Sequence, residues 1–305
     1  GSDSARREGI SRPSTTFWKD AIGRLMKNKV AVVCFFIIVL LILSCIIVPF
    51  FSPFESREQH LGEVNKGFMT VCTDSRYEGQ HHVHYFGTDN LGRDLFLRAF
   101  EGGRVSLMIA FAAVFVNLIV GLIYGGISGY IGGAVDTIMM RIVEIVNGIP
   151  YLIVVILLMM VLPKGIFTMV VAYGITGWTG MARLVRGQVL QLKSQEYIVA
   201  AEAMGARSSR IIAKHLIPNA LSVIIINVTL AIPSAIFTEA FLSYIGLGVP
   251  VPQPSWGVLA KGGQDVFMTY PYQLVVPAVA ISLTMLSFNL LGDGLRDAFD
   301  PRLRR

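Results

Sequence analysis

The chain has 305 residues, of which 53% are hydrophobic and only 15% are charged, and its mean hydropathy is +0.61. Soluble domains usually contain about 25% charged residues, so this composition excludes an ordinary soluble domain and predicts a polytopic membrane protein. Three cysteines, two of them in the first apolar stretch, are too few for a disulfide framework. We interpret Cys34, Cys45 and Cys72 as small apolar filler.

Six apolar stretches follow a polar, basic first segment, 1–29, and each is a candidate for a helix that crosses the bilayer, which needs about 20 residues. Pro150 and Pro233 lie inside the third and fifth stretches, where proline predicts a kink. We therefore predict an all-α integral membrane protein with six transmembrane helices. The predicted spans are 30–48, 105–127, 138–162, 166–181, 221–245 and 273–291.

Lysine and arginine near the span ends predict the orientation, because cytoplasmic loops carry an excess of them. Six spans place both termini on one side, together with the basic loop 183–219 and the basic tail 294–305. The segment 49–104 mixes basic and acidic residues. We therefore predict cytoplasmic termini, an extracytoplasmic segment 49–104, and a transmembrane core 105–293 with an extracytoplasmic loop 246–272. This bias explains the net charge of +6, so we expect no nucleic-acid partner.

The N-terminal segment 1–29 contains a possible amphipathic helix just before the first span. Residues 17–28 (FWKDAIGRLMKN) space Phe17, Ile22 and Leu25 among basic side chains. Such a helix can lie on the inner leaflet and contact membrane lipid. An ordinary basic flank explains the pattern equally well.

The sequence of the loop 183–219 predicts a helix, a glycine turn and a second helix. Residues 196–205 (EYIVAAEAMG) are good helix formers that stop at glycine. Ser208 or Ser209 can cap a second helix, which Pro218 ends. Small side chains at the end of the first helix let another protein approach closely, so we predict a docking element; an incidental cytosolic hairpin is the alternative. The predicted docking residues are Ala200, Ala201, Glu202, Ala203, Met204, Gly205, Arg207 and Pro218.

This loop resembles the "EAA" loop of ABC-importer permeases, in which Glu-Ala-Ala precedes Gly by three residues and Ile-x-Leu-Pro follows nine residues later. Gly205 and Pro218 match that spacing, whereas Val199, His215 and Ile217 replace the Glu, Ile and Leu. The resemblance implies that the first helix sits in a cleft of an ATP-hydrolysing subunit and transmits its closure to the membrane.

The stretch 84–107 (HYFGTDNLGRDLFLRAFEGGRVSL) resembles a segment of the second permease subunit of dipeptide and oligopeptide importers. Thr88 or Asp89 can cap a helix, Gly92 permits a tight turn, and the charged residues can pair among themselves. We predict a folded, structural ridge before the second span, or else a contact for the partner permease or binding protein. Its residues are Gly87, Thr88, Asp89, Gly92, Arg93 and Asp94.

Three further stretches, 125–150, 241–259 and 288–305, are similar to the same family, so the resemblance covers about residues 18–305. It implies a multi-pass permease subunit in the bacterial plasma membrane that forms half of a pathway for oligopeptides or dipeptides. The implied partners are a second homologous permease, two cytosolic ATPases that bind ATP and Mg, and an extracytoplasmic peptide-binding protein. The same architecture could carry nickel complexes, glutathione or opines. A secondary transporter or channel that works without ATPases is the alternative of another class.

Motifs for catalysis or cofactor binding are absent from the sequence. No G-x-x-x-x-G-K-[ST] or G-x-S-x-G occurs, so we predict no enzyme activity and no cofactor in this chain. The G-x-x-x-G spacings formed by Gly121, Gly125 and Gly129 predict close helix packing instead. Residues 81–84 (HHVH) have neither an H-x-x-x-H helix nor a cysteine pair at zinc spacing beside them. We interpret His81, His82 and His84 as part of a solvated loop and predict no metal site.

Polar residues within apolar stretches are costly and usually face a cavity or a partner. Asn117, Asn227 and Glu239 are therefore candidates for the translocation pathway, with Glu239 the best, although a structural role fits it as well. Arg141 and Glu144 are three residues apart, so they can form a structural salt bridge on one helix face.

Overall fold

The computed structural model describes residues 17–73, 82–205 and 208–300. The predictions for His81, for Arg207, and for the ends of the chain at 1–16 and 301–305 lie outside these residues. Helices form most of the described chain. They are α1 Phe17–Lys27, α2 Lys29–Phe51, α3 Leu95–Ile131, α4 Gly133–Asn147, α5 Tyr151–Val161, α6 Ile166–Thr176, α7 Trp178–Lys193, α8 Glu196–Ala203, α9 Ser208–Ile211, α10 Ile217–Tyr244, α11 Trp256–Asp265 and α12 Tyr272–Phe299.

A small unit lies between α2 and α3 in the part that the structure describes, and we call it the extracytoplasmic unit after the side of the membrane predicted for it. It contains a 3-10 turn, Leu61–Glu63, and two short strands, β1 Thr70–Val71 and β2 Val83–His84. The strands pair antiparallel, with Thr70 opposite His84. The unit leads directly into α3, whose first turn is capped by Asp94.

Among the described residues, four helices are each long and apolar enough to cross a membrane: α2, α3, α10 and α12. A fifth span is possible if α4 and α5 are counted as one, but these two helices meet at an angle of 78°. Four or five candidate spans are compatible with the predicted six, and the count of six stays a prediction. The sequence predicted one helix over 138–162 with a kink at Pro150; the chain instead breaks between α4 and α5, where Pro150, which lacks an N–H, precedes α5.

Other helices also differ from the predicted spans. The predicted fourth span, 166–181, is divided at Gly177 between α6 and α7. The helix around the second span begins at Leu95, ten residues before the predicted start, because the Asp94 side chain accepts a hydrogen bond from the Leu97 N–H at 2.7 Å. The predicted loop 246–272 contains α11, whose first residue is the fully buried Trp256.

Glycines allow α3 and α7 to pack with their backbones in contact. A Cβ atom added at Gly125 would lie 2.3 Å from the carbonyl oxygen of Ala182, and one added at Gly129 would lie 2.9 Å from that of Arg186. A Cβ at Gly121 would also clash with α7. The G-x-x-x-G spacing therefore serves helix packing, as the sequence predicted.

The two ends of the described chain meet. The ring of Trp18 in α1 packs edge-on against Phe299 at the end of α12, with centroids 5.6 Å apart. Arg24 donates a hydrogen bond to the carbonyl oxygen of Asp300 at 3.2 Å. This contact is compatible with both termini on one side of the membrane. The helix predicted over 17–28 is present as α1, and it exposes Ile22 and Met26.

Candidate functional site

The predicted docking segment contains a short helix, α8, which ends as its sequence suggests. Gly205 follows the helix with a φ of +79°, a conformation that favours glycine. The Met204 N–H donates to the Ala200 carbonyl oxygen at 3.0 Å and completes the last turn. The first eleven residues of the predicted loop, 183–193, belong to α7, so the segment that projects from the helix bundle is shorter than the loop 183–219.

A buried apolar cluster holds α8 against the rest of the chain. Ile198 in α8 is fully buried, and it belongs to a cluster whose members come from α7, α9, α10 and the π turn Ile212–Leu216. Each fully buried aliphatic side chain of this size contributes about 1.5–3 kcal/mol. The helix is therefore a fixed part of the fold. The other members of this anchoring cluster are Val185, Val189, Ile211, Leu216, Ala220 and Ile224.

The opposite face of α8 is exposed and partly apolar. Met204 is 82% exposed, and Tyr197, Val199, Ala200 and Ala203 are exposed beside it. Ala201 and Glu202 lie in the same helix. Apolar side chains on a fixed, projecting helix are typical of a contact surface for another protein. Sequence analysis missed Tyr197 and Val199, although both flank the buried Ile198 and so point away from it.

Pro218 does not end the second helix, contrary to prediction. A π turn, Ile212–Leu216, joins α9 directly to α10, and Pro218 lies in the first turn of α10. Proline is tolerated there because the first N–H groups of a helix have no partner within it. The docking segment therefore continues without a loop into a membrane-spanning helix.

The predicted ridge before α3 is a network of turns and hydrogen bonds. Gly92 has a φ of +73°, as a tight turn requires. Asp89 accepts hydrogen bonds from the Leu91 and Arg93 N–H groups, and the Arg93 guanidinium pairs with it at 2.7 Å. The sequence predicted that Thr88 or Asp89 caps the helix, but the N-cap of α3 is Asp94. The Thr88 hydroxyl accepts from a backbone N–H of the extracytoplasmic unit and donates to a carbonyl there, while Gly87 has a φ of +77°.

The sequence suggested that His82 and His84 belong to a solvated loop. In the structure His84 is fully buried and His82 is half-buried. The two ring nitrogens of His84 lie 2.8 Å from Asp94 Oδ1 and 3.2 Å from Glu63 Oε2. Burial alone would lower the pKa of His84, but the hydrogen bonds and charges of Asp94 and Glu63 outweigh burial and raise the pKa.

Glu63 and Cys72 belong to the same buried group. Burial favours a higher pKa for the Glu63 carboxyl, but hydrogen bonds from Thr73, Cys72 and His84 outweigh it and lower the pKa. The Cys72 thiol lies 3.3 Å from Glu63 Oε2. Cys72 is thus bonded to a carboxylate, so its interpretation as apolar filler is wrong.

Comparison with known proteins identifies the family. The profile of the family described as "Binding-protein-dependent transport system inner membrane component" matches residues 118–305, more than half of the chain. This chain belongs to that family. A second profile, "N-terminal TM domain of oligopeptide transport permease C", matches residues 16–67 of the permease. Membership places the permease in the bacterial plasma membrane, as part of a transport system that includes ATPases and a binding protein.

Relatives match the permease over nearly its whole length. It is 50% identical to the oligopeptide transport system permease protein OppC of Bacillus subtilis, with 98% of this chain and 94% of that protein covered. It is 47% identical to the dipeptide transport system permease protein DppC of the same organism, with 98% and 90% covered. The OppC protein of Escherichia coli is 43% identical, with 97% and 95% covered.

A solved structure has the same fold. A chain of the inward-facing MetNI methionine ABC transporter superposes with a TM-score of 0.53 at 22% identity. The match covers 67% of the permease and 97% of that chain. It supports the fold of an ABC-transporter permease.

Glu239, the best pathway candidate, lies in a buried hydrogen-bond network of the permease. It is 1% exposed, and its carboxylate oxygens accept hydrogen bonds from Ser106 at 2.6 Å and Ser243 at 2.7 Å. The backbone N–H of Trp256 donates to the same Ser106 hydroxyl at 3.1 Å. This network joins α3, α10 and α11, which supports the structural alternative that the sequence left open. Sequence analysis missed Ser106 and Trp256.

The other two pathway candidates also face their own chain. Asn227 is half-buried and donates to the carbonyl oxygen of Val223 at 2.9 Å within α10. Asn117 is buried in α3 against Gly177, and its side-chain oxygen has no hydrogen-bond partner among the described residues. A pathway role for these residues stays a prediction. The predicted pair of Arg141 and Glu144 is present in α4 at 2.6 Å and is exposed.

Proposed function

We propose that the permease is one of two homologous membrane subunits of an ATP-driven importer for oligopeptides or dipeptides. Similarity to oligopeptide and dipeptide permeases over nearly the full length supports this cargo. In this proposal an extracytoplasmic binding protein delivers the peptide, and the two permeases enclose the pathway. Two cytosolic ATPases bind ATP and Mg and hydrolyse the nucleotide.

The observation that carries the proposal is the shape of the docking segment. The helix α8 is fixed from within by Ile198 and presents Tyr197, Val199 and Met204 outward. A helix that is buried on one side and exposes apolar side chains on the other suits a cleft on a second protein. We assign that cleft to an ATPase, whose closure on ATP would displace α8 and the helices on which it is anchored.

Cross-linking at two exposed methionines tests the assignment. Met204 follows α8 and is 82% exposed, whereas Met268 follows α11 in the predicted extracytoplasmic loop and is 96% exposed. Each would be replaced by cysteine in the complete importer, with the unsubstituted chain as background because Cys34, Cys45 and Cys72 are buried.

We expect a thiol-reactive cross-linker to join Met204→Cys to an ATPase and Met268→Cys to none. A membrane-impermeant maleimide should label Met268→Cys in intact cells and Met204→Cys only in permeabilised cells. Cross-linking of the ATPase through position 268, or through neither position, would show that α8 is not the docking element.

The cargo requires a separate test. A bacterial strain that lacks its own peptide importers would be given the permease with its partner subunits and offered radiolabelled peptides of two to five residues. We expect ATP-dependent peptide uptake that excess unlabelled peptide suppresses. Uptake of nickel or glutathione in place of peptides would retain the architecture and reject the cargo.

A further inference from the structure

Three metal-binding side chains converge in the extracytoplasmic unit, far along the chain from the docking segment. They are His60, Glu63 and Cys72, which we call the His–Glu–Cys cluster. All three are buried, and their ligand atoms lie within 4.8 Å of one another. Transport through the membrane and docking of an ATPase do not account for a buried group of this composition.

The distances around Glu63 fit the edges of a tetrahedral metal site. Glu63 Oε2 lies 3.3 Å from Cys72 Sγ, 3.9 Å from His60 Nδ1 and 3.2 Å from His84 Nε2. Zinc binds nitrogen, oxygen and sulfur at about 2.0–2.3 Å, so neighbouring ligands in a tetrahedral site lie about 3.3–3.8 Å apart. The ligand atoms of His60, Glu63 and Cys72 lie within 4.8 Å of one another, and His84 Nε2 adjoins this group through Glu63 Oε2.

His84 is arranged as a metal-bound histidine usually is. Its Nδ1 lies 2.8 Å from Asp94 Oδ1, and metal-binding histidines commonly donate their second ring N–H to a carboxylate. In a neutral ring whose Nδ1–H is bonded to Asp94, the lone pair of Nε2 faces Glu63 Oε2, and a cation bound by both atoms holds them together. Without a cation, a doubly protonated ring donates to both carboxylates. The ring of Phe54 stacks on His84 with centroids 4.5 Å apart and shields it from water.

We propose that the His–Glu–Cys cluster binds one Zn²⁺, with His84 as the fourth ligand. Thiolate and imidazole favour zinc over magnesium or calcium, and a buried site with four protein ligands is typical of structural zinc. The ion would fasten the 3-10 turn, the chain after β1, and β2 to one another. Since Asp94 both orients His84 and caps α3, it would also fix the extracytoplasmic unit to that helix.

Cobalt spectroscopy on the full-length, tag-free permease in nanodiscs tests the proposal directly. After removal of metal with a chelator, Co²⁺ or Zn²⁺ alone would be added, and bound metal would be counted by mass spectrometry. We expect one ion per chain and, with Co²⁺, a thiolate-to-cobalt charge-transfer band in the near ultraviolet. A double variant, Cys34→Ser with Cys45→Ser, leaves Cys72 as the one thiol and should keep the band.

Variants of the ligands and of their carboxylate partner separate zinc binding from mere folding. Cys72→Ser should abolish the band, and Asp94→Asn should weaken zinc binding about 10- to 100-fold, because asparagine still caps α3 but no longer supports His84 as a carboxylate does. Should Cys72→Ser not fold, the double cysteine variant still decides, since zinc should raise its thermal midpoint.

Several results would overturn the proposal. They are less than one bound ion per chain, a cobalt spectrum without the thiolate band in the double cysteine variant, and binding that Cys72→Ser leaves intact. A thermal midpoint that neither chelator nor zinc changes would have the same meaning. In each case His84 would be explained as a doubly protonated imidazolium that donates to both Glu63 and Asp94.

Discussion

Replacing Gly125 with alanine should loosen the contact between α3 and α7. The added Cβ would lie 2.3 Å from the Ala182 carbonyl oxygen and 3.0 Å from the Arg186 nitrogen. Both atoms belong to the backbone of α7, so no side chain can turn away, and the helices must separate by about 1 Å to restore ordinary contact. Overpacking of this kind costs about 1–3 kcal/mol.

Gly126→Ala provides the matched control on the same helix. A Cβ there meets only the Ile212 side chain at 3.6 Å, an ordinary contact. Alanine gains about 0.5–1 kcal/mol over glycine within a helix at either position, so the difference between the two variants isolates the clash. At about 2–4 °C per kcal/mol, we expect Gly125→Ala to melt about 2–12 °C below Gly126→Ala.

Thermal unfolding of the two purified variants, followed by tryptophan fluorescence at one scan rate, measures this difference. Membrane proteins often unfold irreversibly, so the comparison between variants is more informative than either midpoint alone. Equal midpoints, or a lower midpoint for Gly126→Ala, would refute the backbone contact between α3 and α7.

Substitutions at three other positions test separate parts of the fold. Gly205→Val should stop uptake without loss of membrane insertion, whereas Gly205→Asn should retain uptake because asparagine adopts positive φ more readily. Transport assays measure the uptake, and immunoblots of membranes measure the insertion. Trp256→Phe removes the indole donor that lies 2.9 Å from the Ala99 carbonyl oxygen and should lower the free energy of unfolding by about 1–3 kcal/mol. An unchanged thermal midpoint would contradict a contribution from this hydrogen bond. Asp136→Asn weakens a two-bond pair with the Arg186 guanidinium and should cost about 1–2 kcal/mol; an unchanged midpoint would show that this pair is not formed.

Hydropathy located the membrane helices but not their ends. The first, second, fifth and sixth predicted spans fall on α2, α3, α10 and α12, because long apolar runs leave few other structures possible in lipid. Composition does not distinguish a kinked helix from two helices that meet at 78°, so the break before Pro150 was predicted only as a kink. The first ten residues of α3 include charged residues and glycines, so the sequence analysis assigned them to the segment before the span. The Asp94 cap marks where the helix begins.

The docking segment was predictable because its signals are local. A run of helix formers followed by a glycine lies within ten residues, and α8 ends where they indicate. The predicted serine cap is wrong, because Ser208 and Ser209 already lie inside α9. The anchoring cluster was not predictable in the same way. Ile198 joins a cluster with Val185 and Ile224 only after α7 and α10 are packed together. The spacing of these residues in the sequence does not predict that packing.

The buried histidine group shows the same limit more sharply. His60, Glu63, Cys72, His84 and Asp94 are separated by 3, 9, 12 and 10 positions, spacings that match no metal-binding motif. They converge because β1 and β2 pair and the chain then turns into α3. A polar, histidine-containing segment outside the membrane therefore reads as solvated until its tertiary contacts are known.

The packing of the helices bears on how a displaced docking helix could act on the membrane core. Ile198 belongs to one buried cluster with residues of both α7 and α10, so in a close-packed interior we expect α8 to move together with them. The helix α7 is in turn held against α3 at Gly125 and Gly129 by backbone contacts with no free space. We therefore expect a displacement of α8 to reach α3, α7 and α10 together, as one rigid group.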